Sequence, residues 1–335
     1  PRDGGGTLRH KTARDCDSRC GEEQSRTRAQ YGGARRKVYA LYPGVSVSIA
    51  RSLSLRCQRT FCESSMPEPL ISTTVETLSE FAAAVERALD DAVSDTLWFR
   101  GVSDAAYQLV PRFYRREPDA LAADLRKKEE LMIERFRHRS LPFLSTRYES
   151  SLEALFIMQH YGIPTRLLDW SENAFVALWF AMTYADKAIR ELGQSPAAAA
   201  VWILDPVAWN RGALHSVGHT GGVFLPSDPL LTRRYAPSSD DLTGADAVAL
   251  FGPHNSARIV AQRGVFTIAG ALRTPMENTF AASSAYAPAC LRKIEVPAEA
   301  VSNLTNVLTR IGFSESMMFP DLDGFARETN RLFNF

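Results

Sequence analysis

The sequence predicts an α+β fold in which a single mixed sheet forms the core and helices flank it. Short β-prone runs, such as residues 96–101 and 197–204, alternate in irregular order with segments of helical period. The chain also lacks the Walker phosphate loop and the glycine fingerprint that accompany doubly wound parallel sheets. A hydrophobic content of 45% in 335 residues is enough to bury such a core.

The first 65 residues differ in composition from the remainder. They are rich in Arg, Gly and Ser and hold 13 Lys and Arg against 6 Asp and Glu, whereas residues 66–335 hold 26 against 32. Met66 is the first methionine, and a helical pattern follows within a few residues. We therefore expect residues 1–65 to be a disordered extension, or sequence upstream of a natural start at Met66, and residues 66–335 to form the folded domain.

Charge and hydropathy argue against two classes of partner, nucleic acids and membranes. The acidic balance of residues 66–335 disfavours nucleic acid, because neutralising phosphates requires clustered Lys and Arg. One local cluster, Arg112, Arg115 and Arg116, could hold a phosphate, although a solvated loop is the simpler interpretation. The apolar run at 38–50 is interrupted and too short to span a bilayer, so we predict no membrane segment.

Cysteine and histidine usage predicts neither a disulfide framework nor a metal site. Four of the five cysteines lie before Met66, and only Cys290 lies in the predicted domain. This usage favours a reducing, cytoplasmic location. His215 and His219 have metal-ligand spacing for a helix, but the glycines around them favour a loop.

Two helices are predicted before residue 150. The first has Thr74 or Thr77 as its cap and an apolar face that begins at Leu78. The second covers residues 117–140, and its charged run, which includes Glu129, is expected to face solvent.

A strand between them, at residues 96–101, ends in Arg100 and Gly101. An arginine at a strand end beside a glycine is a candidate anion anchor, because glycine lets the backbone approach a ligand closely. The alternative is an ion pair between Arg100 and Asp104. The sequence leaves both open.

Residues 151–182 organise the predicted site. They contain two apolar helical patterns, of which the first ends at Gly162 and Pro164 and the second is expected to begin at Asp169 or Ser171 as its cap. The turn between the patterns is dense in polar and aromatic groups: His160, Tyr161, Thr165, Arg166, Asp169 and Trp170. A buried Arg166 and Asp169 require partners, either each other in an internal ion pair or a ligand.

The later elements follow simple patterns. Strands are predicted at residues 197–204 and 291–296, a turn-rich connection at 212–246, and helices at 298–308 and 325–333. Residues 257–268 are interpreted as a strand or strand pair, broken at Gln262, Arg263 and Gly264.

Five motifs together resemble the FRG domain family, which is named for a Phe-Arg-Gly tripeptide. The motifs are Trp98-Phe99-Arg100-Gly101-Val102-Ser103-Asp104 with Leu109-Val110-Pro111, Gln159-His160-Tyr161-Gly162-Ile163-Pro164-Thr165-Arg166-Leu167-Leu168-Asp169-Trp170, Ala177-Leu178-Trp179-Phe180-Ala181, Ala261-Gln262-Arg263-Gly264-Val265-Phe266-Thr267 and Phe319-Pro320-Asp321-Leu322-Asp323-Gly324. They extend over most of residues 76–335, so the resemblance covers the predicted domain.

The order of these motifs is also similar to that in ADP-ribosyltransferases, which implies a divergent split sheet of that type. Arg100-Gly101 corresponds to the first element of those enzymes, and the Leu168–Ser171 run with the helix after it corresponds to the second. Ser171 lacks the Ser and Thr neighbours of that motif. Gln262 starts the third element, but Gly264 stands where the enzymes carry a glutamate that stabilises positive charge as the glycosidic bond breaks.

Three hypotheses about function stay open, the first two from the resemblance and the third from the residues themselves. The first is an enzyme that binds NAD or a related nucleotide as substrate, without another cofactor, and transfers or hydrolyses ADP-ribose; the acceptor is unknown. The second is a catalytically silent module that binds a ligand or partner on the same scaffold. The third is a nuclease or hydrolase that uses His160 and Asp169. The candidate catalytic residues are His160, Asp169 and Gln262, and the candidate ligand-binding residues are Arg100, Gly101, Tyr161, Thr165, Arg166 and Ser171.

Overall fold

A mixed sheet of seven strands lies at the centre of the part of the chain that the structure describes. The computed structural model describes residues 70–115, 119–144, 148–190, 193, 197–237, 244, 246–253 and 256–333, which fall within one compact unit, Cys62–Phe335. The strands are β1 (Ile71–Thr74), β2 (Trp98–Val102), β3 (Leu167–Ser171), β4 (Ala199–Leu204), β5 (Val248–Leu250), β6 (Gly264–Ile268) and β7 (Leu291–Val296). Their order is β1-β7-β4-β2-β3-β6-β5; β1 and β7 are parallel and the other neighbours antiparallel.

Helices lie on the two faces of this sheet. They are α1 (Leu78–Asp90), α2 (Arg112–Arg115), α3 (Ala122–Ser140), α4 (Ser151–His160), α5 (Ala174–Arg190), α6 (Pro206–Ala213), α7 (Pro229–Tyr235), α8 (Ala257–Gln262), α9 (Met276–Ala281), α10 (Ala298–Arg310), α11 (Glu315–Met318) and α12 (Leu322–Phe333). Single 3-10 turns occur at Leu141–Phe143 and His215–Val217. The predicted α+β fold with one mixed sheet flanked by helices is confirmed.

Successive residues of β2 divide the core between the two faces. Phe99 packs in a cluster with residues of α1, α5 and α10, whereas Trp98 packs on the opposite face among residues of β4, α6 and α9. Both side chains are at most 4% exposed. Burial of each contributes roughly 1.5–3 kcal/mol, so the central strand is anchored from both sides.

Gly101 lets α5 lie directly against β2. A Cβ atom at this position would overlap the carbonyl oxygen of Ala177 and lie 2.7 Å from the backbone nitrogen of Ala181. The glycine of the Phe-Arg-Gly tripeptide is therefore required by packing, whatever else it does.

The predicted start of the second helix in the organising stretch is wrong. Asp169 and Ser171 belong to β3, and the cap is Asn173, whose Oδ1 accepts hydrogen bonds from the backbone nitrogens of Phe175 and Val176 at 3.0 and 3.3 Å. The segment forms a strand because it pairs along its whole length with β6. Pairing with a distant strand outweighs local capping signals.

Residues 257–262 form α8 and not the predicted strand. Ser256 caps this helix by accepting a hydrogen bond from the backbone nitrogen of Ile259 at 3.2 Å. Arg263 ends it in the left-handed conformation, with φ of 47°, and β6 follows at once. A short apolar run carries too few residues for its period to separate helix from strand.

Other predictions are met with smaller differences. Thr77 caps α1 in a capping box with Glu80, and the predicted connection 212–246 includes α7. No helix in the described ranges is long and apolar enough to cross a membrane. The predicted extension, its cysteines, the run 38–50 and Arg116 lie outside the described residues.

Candidate functional site

The central sheet divides between β2 and β3. These strands share a single paired position, Phe99 with Ser171, whereas β2 pairs with β4 at five positions and β3 with β6 at five. Two residues further along each strand, Gly101 and Asp169 would be opposite in a continuous ladder. Instead, Nη1 of Arg100 donates a hydrogen bond to the carbonyl oxygen of Asp169 at 2.6 Å, so a guanidinium bridges the gap.

A cleft of about 320 Å³ opens at this gap. Its walls come from β2, β3, α4, α5, α8 and β6. Among the described residues that line it, three carry a guanidinium, Arg100, Arg115 and Arg258, and one carries a carboxylate, Asp169. The cleft therefore has an excess of positive charge and favours an anionic occupant.

Burial lowers the pKa of Arg100 below its ordinary value, an effect that the charge of Asp169 partly offsets. Burial and the nearby Arg112 lower the pKa of Arg115 in the same way. Arginine nevertheless stays protonated in proteins, so the lowered pKa values express the cost of keeping these charges partly desolvated. An anion in the cleft would offset that cost.

A relay of hydrogen bonds fixes the carboxylate of Asp169. Oγ1 of Thr165 donates to Oε1 of Gln159 at 2.6 Å, and Nε2 of Gln159 donates to Oδ2 of Asp169 at 2.7 Å. Thr165 is buried behind the cleft wall and does not line the cleft, whereas Gln159 does. Gln159 was not predicted as a site residue, although its position next to His160 in the polar motif could have indicated one.

Ser171 and Gln262 join Arg100 in the cleft, as the resemblance implied, but they already have partners. Oγ of Ser171 donates to the carbonyl oxygen of Gln262 at 2.7 Å and accepts from the backbone nitrogen of Asn173 at 3.0 Å. Nε2 of Gln262 donates to the carbonyl oxygen of Met318 at 2.9 Å. Gly264 also lines the cleft and supplies no polar side chain there.

His160 lines the cleft without meeting Asp169. Its Nδ1 lies 3.4 Å from Oγ of Ser256, and no hydrogen bond joins it to Asp169 among the described residues. Burial and the charge of Arg258 lower the pKa of His160 below 6.5, so the ring is neutral at pH 7. Tyr161 is 63% exposed, packs edge-on against His160 with ring centroids 4.8 Å apart, and lies outside the cleft.

Arg166 also lies outside this cleft and is saturated by structural contacts. Its Nε donates to Oε1 of Glu129 at 2.8 Å, and its other nitrogens donate to the carbonyl oxygens of Ala269 and Tyr235, each at 2.8 Å. Burial lowers the pKa of Arg166, but Glu129 outweighs this effect and the pKa is raised. The expected ion pair exists with Glu129, not with Asp169, and the prediction that Glu129 faces solvent is wrong.

Arg258 is, like Gln159, a cleft residue that the sequence analysis did not predict. It was placed in a predicted strand, whereas α8 puts Arg258 and Gln262, four residues apart, on one helical face. Its Nη1 donates to the carbonyl oxygen of His160 at 3.3 Å, and its guanidinium carbon lies 4.6 Å from the ring centroid of Phe319. Within the described residues no three His, Cys, Asp or Glu side chains are grouped to hold a metal ion.

Comparison with known proteins finds one family model that matches part of the chain. The family model described as FRG domain matches residues 95–189, the segment that contains β2, α4, β3 and nearly all of α5. No curated protein and no solved structure matches the chain. The matched segment includes Arg100, Gln159, His160 and Asp169, whereas α8 and the C-terminal helices lie beyond it.

Proposed function

Because the chain contains an FRG domain at residues 95–189, with a cleft that holds three guanidinium groups and one carboxylate, we propose that it binds a phosphate-bearing nucleotide of the NAD type. The observation that carries this proposal is the placement of Arg100. Its guanidinium lies at the opening between β2 and β3 and makes one described hydrogen bond, to a neutral carbonyl. Its remaining N–H groups can bind phosphate oxygens, and guanidinium geometry suits them.

The aromatic wall of the cleft supports the nucleotide part of the proposal. Phe180 and Tyr184 line the cleft, and their rings stack with centroids 6.0 Å apart and planes at 12°. Tyr184 is 48% exposed, so one face remains for a planar base. Stacking of a base on an aromatic side chain is worth about 1–3 kcal/mol.

Asp169 favours ADP-ribose transfer or hydrolysis as a second candidate function. In that reaction the bond between C1′ of ribose and the nicotinamide nitrogen breaks, and its electron pair leaves with nicotinamide. A lone pair of the acceptor or of water forms the new bond to C1′, and the acceptor's proton passes to a base. Asp169, held by Gln159, is the described carboxylate of the cleft that can stabilise the cationic sugar or accept that proton.

The silent module remains the alternative to that chemistry, because Gly264 supplies no carboxylate. The third hypothesis, a His160–Asp169 nuclease or hydrolase, has no support from the described contacts. The carboxylate of Asp169 accepts a hydrogen bond from Gln159, and Nδ1 of His160 lies beside Oγ of Ser256. The acceptor of a transfer reaction stays open.

The test is calorimetric titration of the full chain with NAD and ADP-ribose, together with chromatographic detection of released nicotinamide. Arg100→Ala should raise Kd about tenfold to a hundredfold, because it removes charged hydrogen bonds to phosphate. Arg310→Ala is the matched control, since Arg310 is exposed on α10, outside the cleft, and removes the same charge. Absence of binding to both nucleotides, or an equal loss in both variants, would refute the proposal.

Nicotinamide release separates the enzyme from the silent module. Release by the wild type that disappears in Asp169→Asn, with Kd unchanged, identifies an NAD-consuming enzyme. Binding without release by the wild type identifies a binding module.

A further inference from the structure

We propose that the turn at residues 319–324 aims Arg258 at the cleft, with Phe319 as the positioning residue. This inference rests on the proposed binding of a phosphate-bearing ligand and names a determinant of affinity outside the matched family segment. The guanidinium carbons of Arg258 and Arg327 lie 4.6 and 4.7 Å from the centroid of the Phe319 ring. Two cations therefore share one aromatic side chain, and only Arg258 lines the cleft.

The backbone around Phe319 is held by a tight turn. The backbone nitrogen of Asp321 donates to the carbonyl oxygen of Phe319 at 2.8 Å, and the backbone nitrogen of Gly324 donates to Oδ1 of Asp321 at 2.7 Å. A Cβ atom on Gly324 would overlap the carbonyl oxygen of Phe319, so the turn requires glycine. The motif's aspartate and glycine thus serve the placement of its phenylalanine.

Two further contacts join this turn to the cleft wall. Gln262 on α8 donates to the carbonyl oxygen of Met318, the residue before Phe319. The Phe319 ring also packs edge-on against Phe180, which lines the cleft, with centroids 6.0 Å apart and planes at 88°. Phe319 therefore connects the α8 wall to the α5 wall.

Besides Phe319, few described contacts restrain Arg258. It lies on a helix of six residues, and its one described hydrogen bond, to the carbonyl oxygen of His160, is long at 3.3 Å. An unrestrained arginine loses much rotamer freedom when it binds a ligand. Contact with the Phe319 ring restrains the guanidinium beforehand and leaves N–H groups for a phosphate.

The test compares Phe319→Leu with Phe319→Trp in the full chain, with ADP-ribose and inorganic pyrophosphate as probes. Leu fills the site but removes the ring face, so Kd should rise about threefold to tenfold for both probes. Trp keeps the ring face and should hold Kd within about twofold of the wild type. A merely structural Phe319 would instead give melting temperatures that fall without this rescue pattern.

A double-mutant cycle with Arg258→Ala makes the assignment specific. Phe319→Leu should have no further effect on Kd when Arg258 is absent, because both changes remove the same contact to the ligand. Additive effects, or an unchanged Kd in Phe319→Leu, would overturn the inference while leaving the proposed function intact.

The rate at which phenylglyoxal modifies Arg258, followed by peptide mass spectrometry, gives a readout without ligand. Phe319→Leu should raise that rate at Arg258 and leave it unchanged at Arg310. If the wild type binds neither probe, the proposed function fails, and an unchanged modification rate would overturn the positioning role as well.

Discussion

Arg166, which directly precedes β3, and Arg100, on the neighbouring strand β2, differ in how their guanidinium groups are hydrogen-bonded. Arg166 is 4% exposed, and all three of its nitrogens donate to Glu129 or to backbone carbonyls. Arg100 is partly exposed, and its one described hydrogen bond goes to the carbonyl oxygen of Asp169. Both guanidinium groups are at least partly withdrawn from water, so they differ chiefly in the donors of Arg100 that have no described partner.

The largest expected effect is the loss of stability when Arg166 is replaced. Arg166→Met leaves Glu129 buried without its partner and should lower the free energy of unfolding by about 3–5 kcal/mol, measured by urea denaturation. Arg166→Met combined with Glu129→Leu should recover most of that loss, because no buried charge remains. If the free energy of unfolding of Arg166→Met fell by less than about 1 kcal/mol, the ion pair with Glu129 would not be a major structural contact.

Gly101→Ala should have a smaller effect on stability and tests the wall beside Arg100. The new Cβ would meet the backbone of α5, so α5 or β2 must shift, at an expected cost of about 1–3 kcal/mol in unfolding free energy. Ser103→Ala, in the same wall, is the control and should stay within about 0.5 kcal/mol of the wild type. Equal stability of the two variants would show that β2 and α5 are less closely packed than described.

The smallest expected effect concerns the pH dependence of stability through His160. Its folded pKa is lowered by burial and Arg258, so the unfolded chain binds more protons below pH 6.5. The contribution of neutral His160 is complete above that pH and is lost as pH falls from 6.5 towards the folded pKa. Melting temperature measured between pH 8 and pH 5 should therefore fall more in the wild type than in His160→Gln, and identical profiles would contradict the lowered pKa.

Sequence patterns predicted the fold where the signal was long or flanked by clear breaks. Strands β2, β4 and β7 and helices α1 and α10 are near their predicted positions, because alternation, capping and period agree there. β3 and α8 are five and six residues long, and their state depends on β6 and on the cap at Ser256. Local sequence carries neither piece of information.

The same limit applies to the cleft. Arg100, Ser171 and Gln262, which the resemblance placed in three successive motifs, line one cleft because β2, β3 and α8 border it. The partner of Arg166 is Glu129, 37 residues earlier on α3, and no local pattern connects them. Contacts of that kind, like Phe319 with Arg258, depend on how the helices pack and become visible only in the fold.

The division of the sheet between β2 and β3 has a consequence for amide hydrogen exchange. Amides in the middle of a sheet ordinarily exchange with solvent deuterium only when the whole domain unfolds. Beyond the Phe99–Ser171 pair, the facing edges of β2 and β3 border the cleft instead of each other. We expect the exchange rate of these central amides to depend on whether the cleft is occupied. A bound nucleotide would then slow deuterium exchange at the centre of the fold.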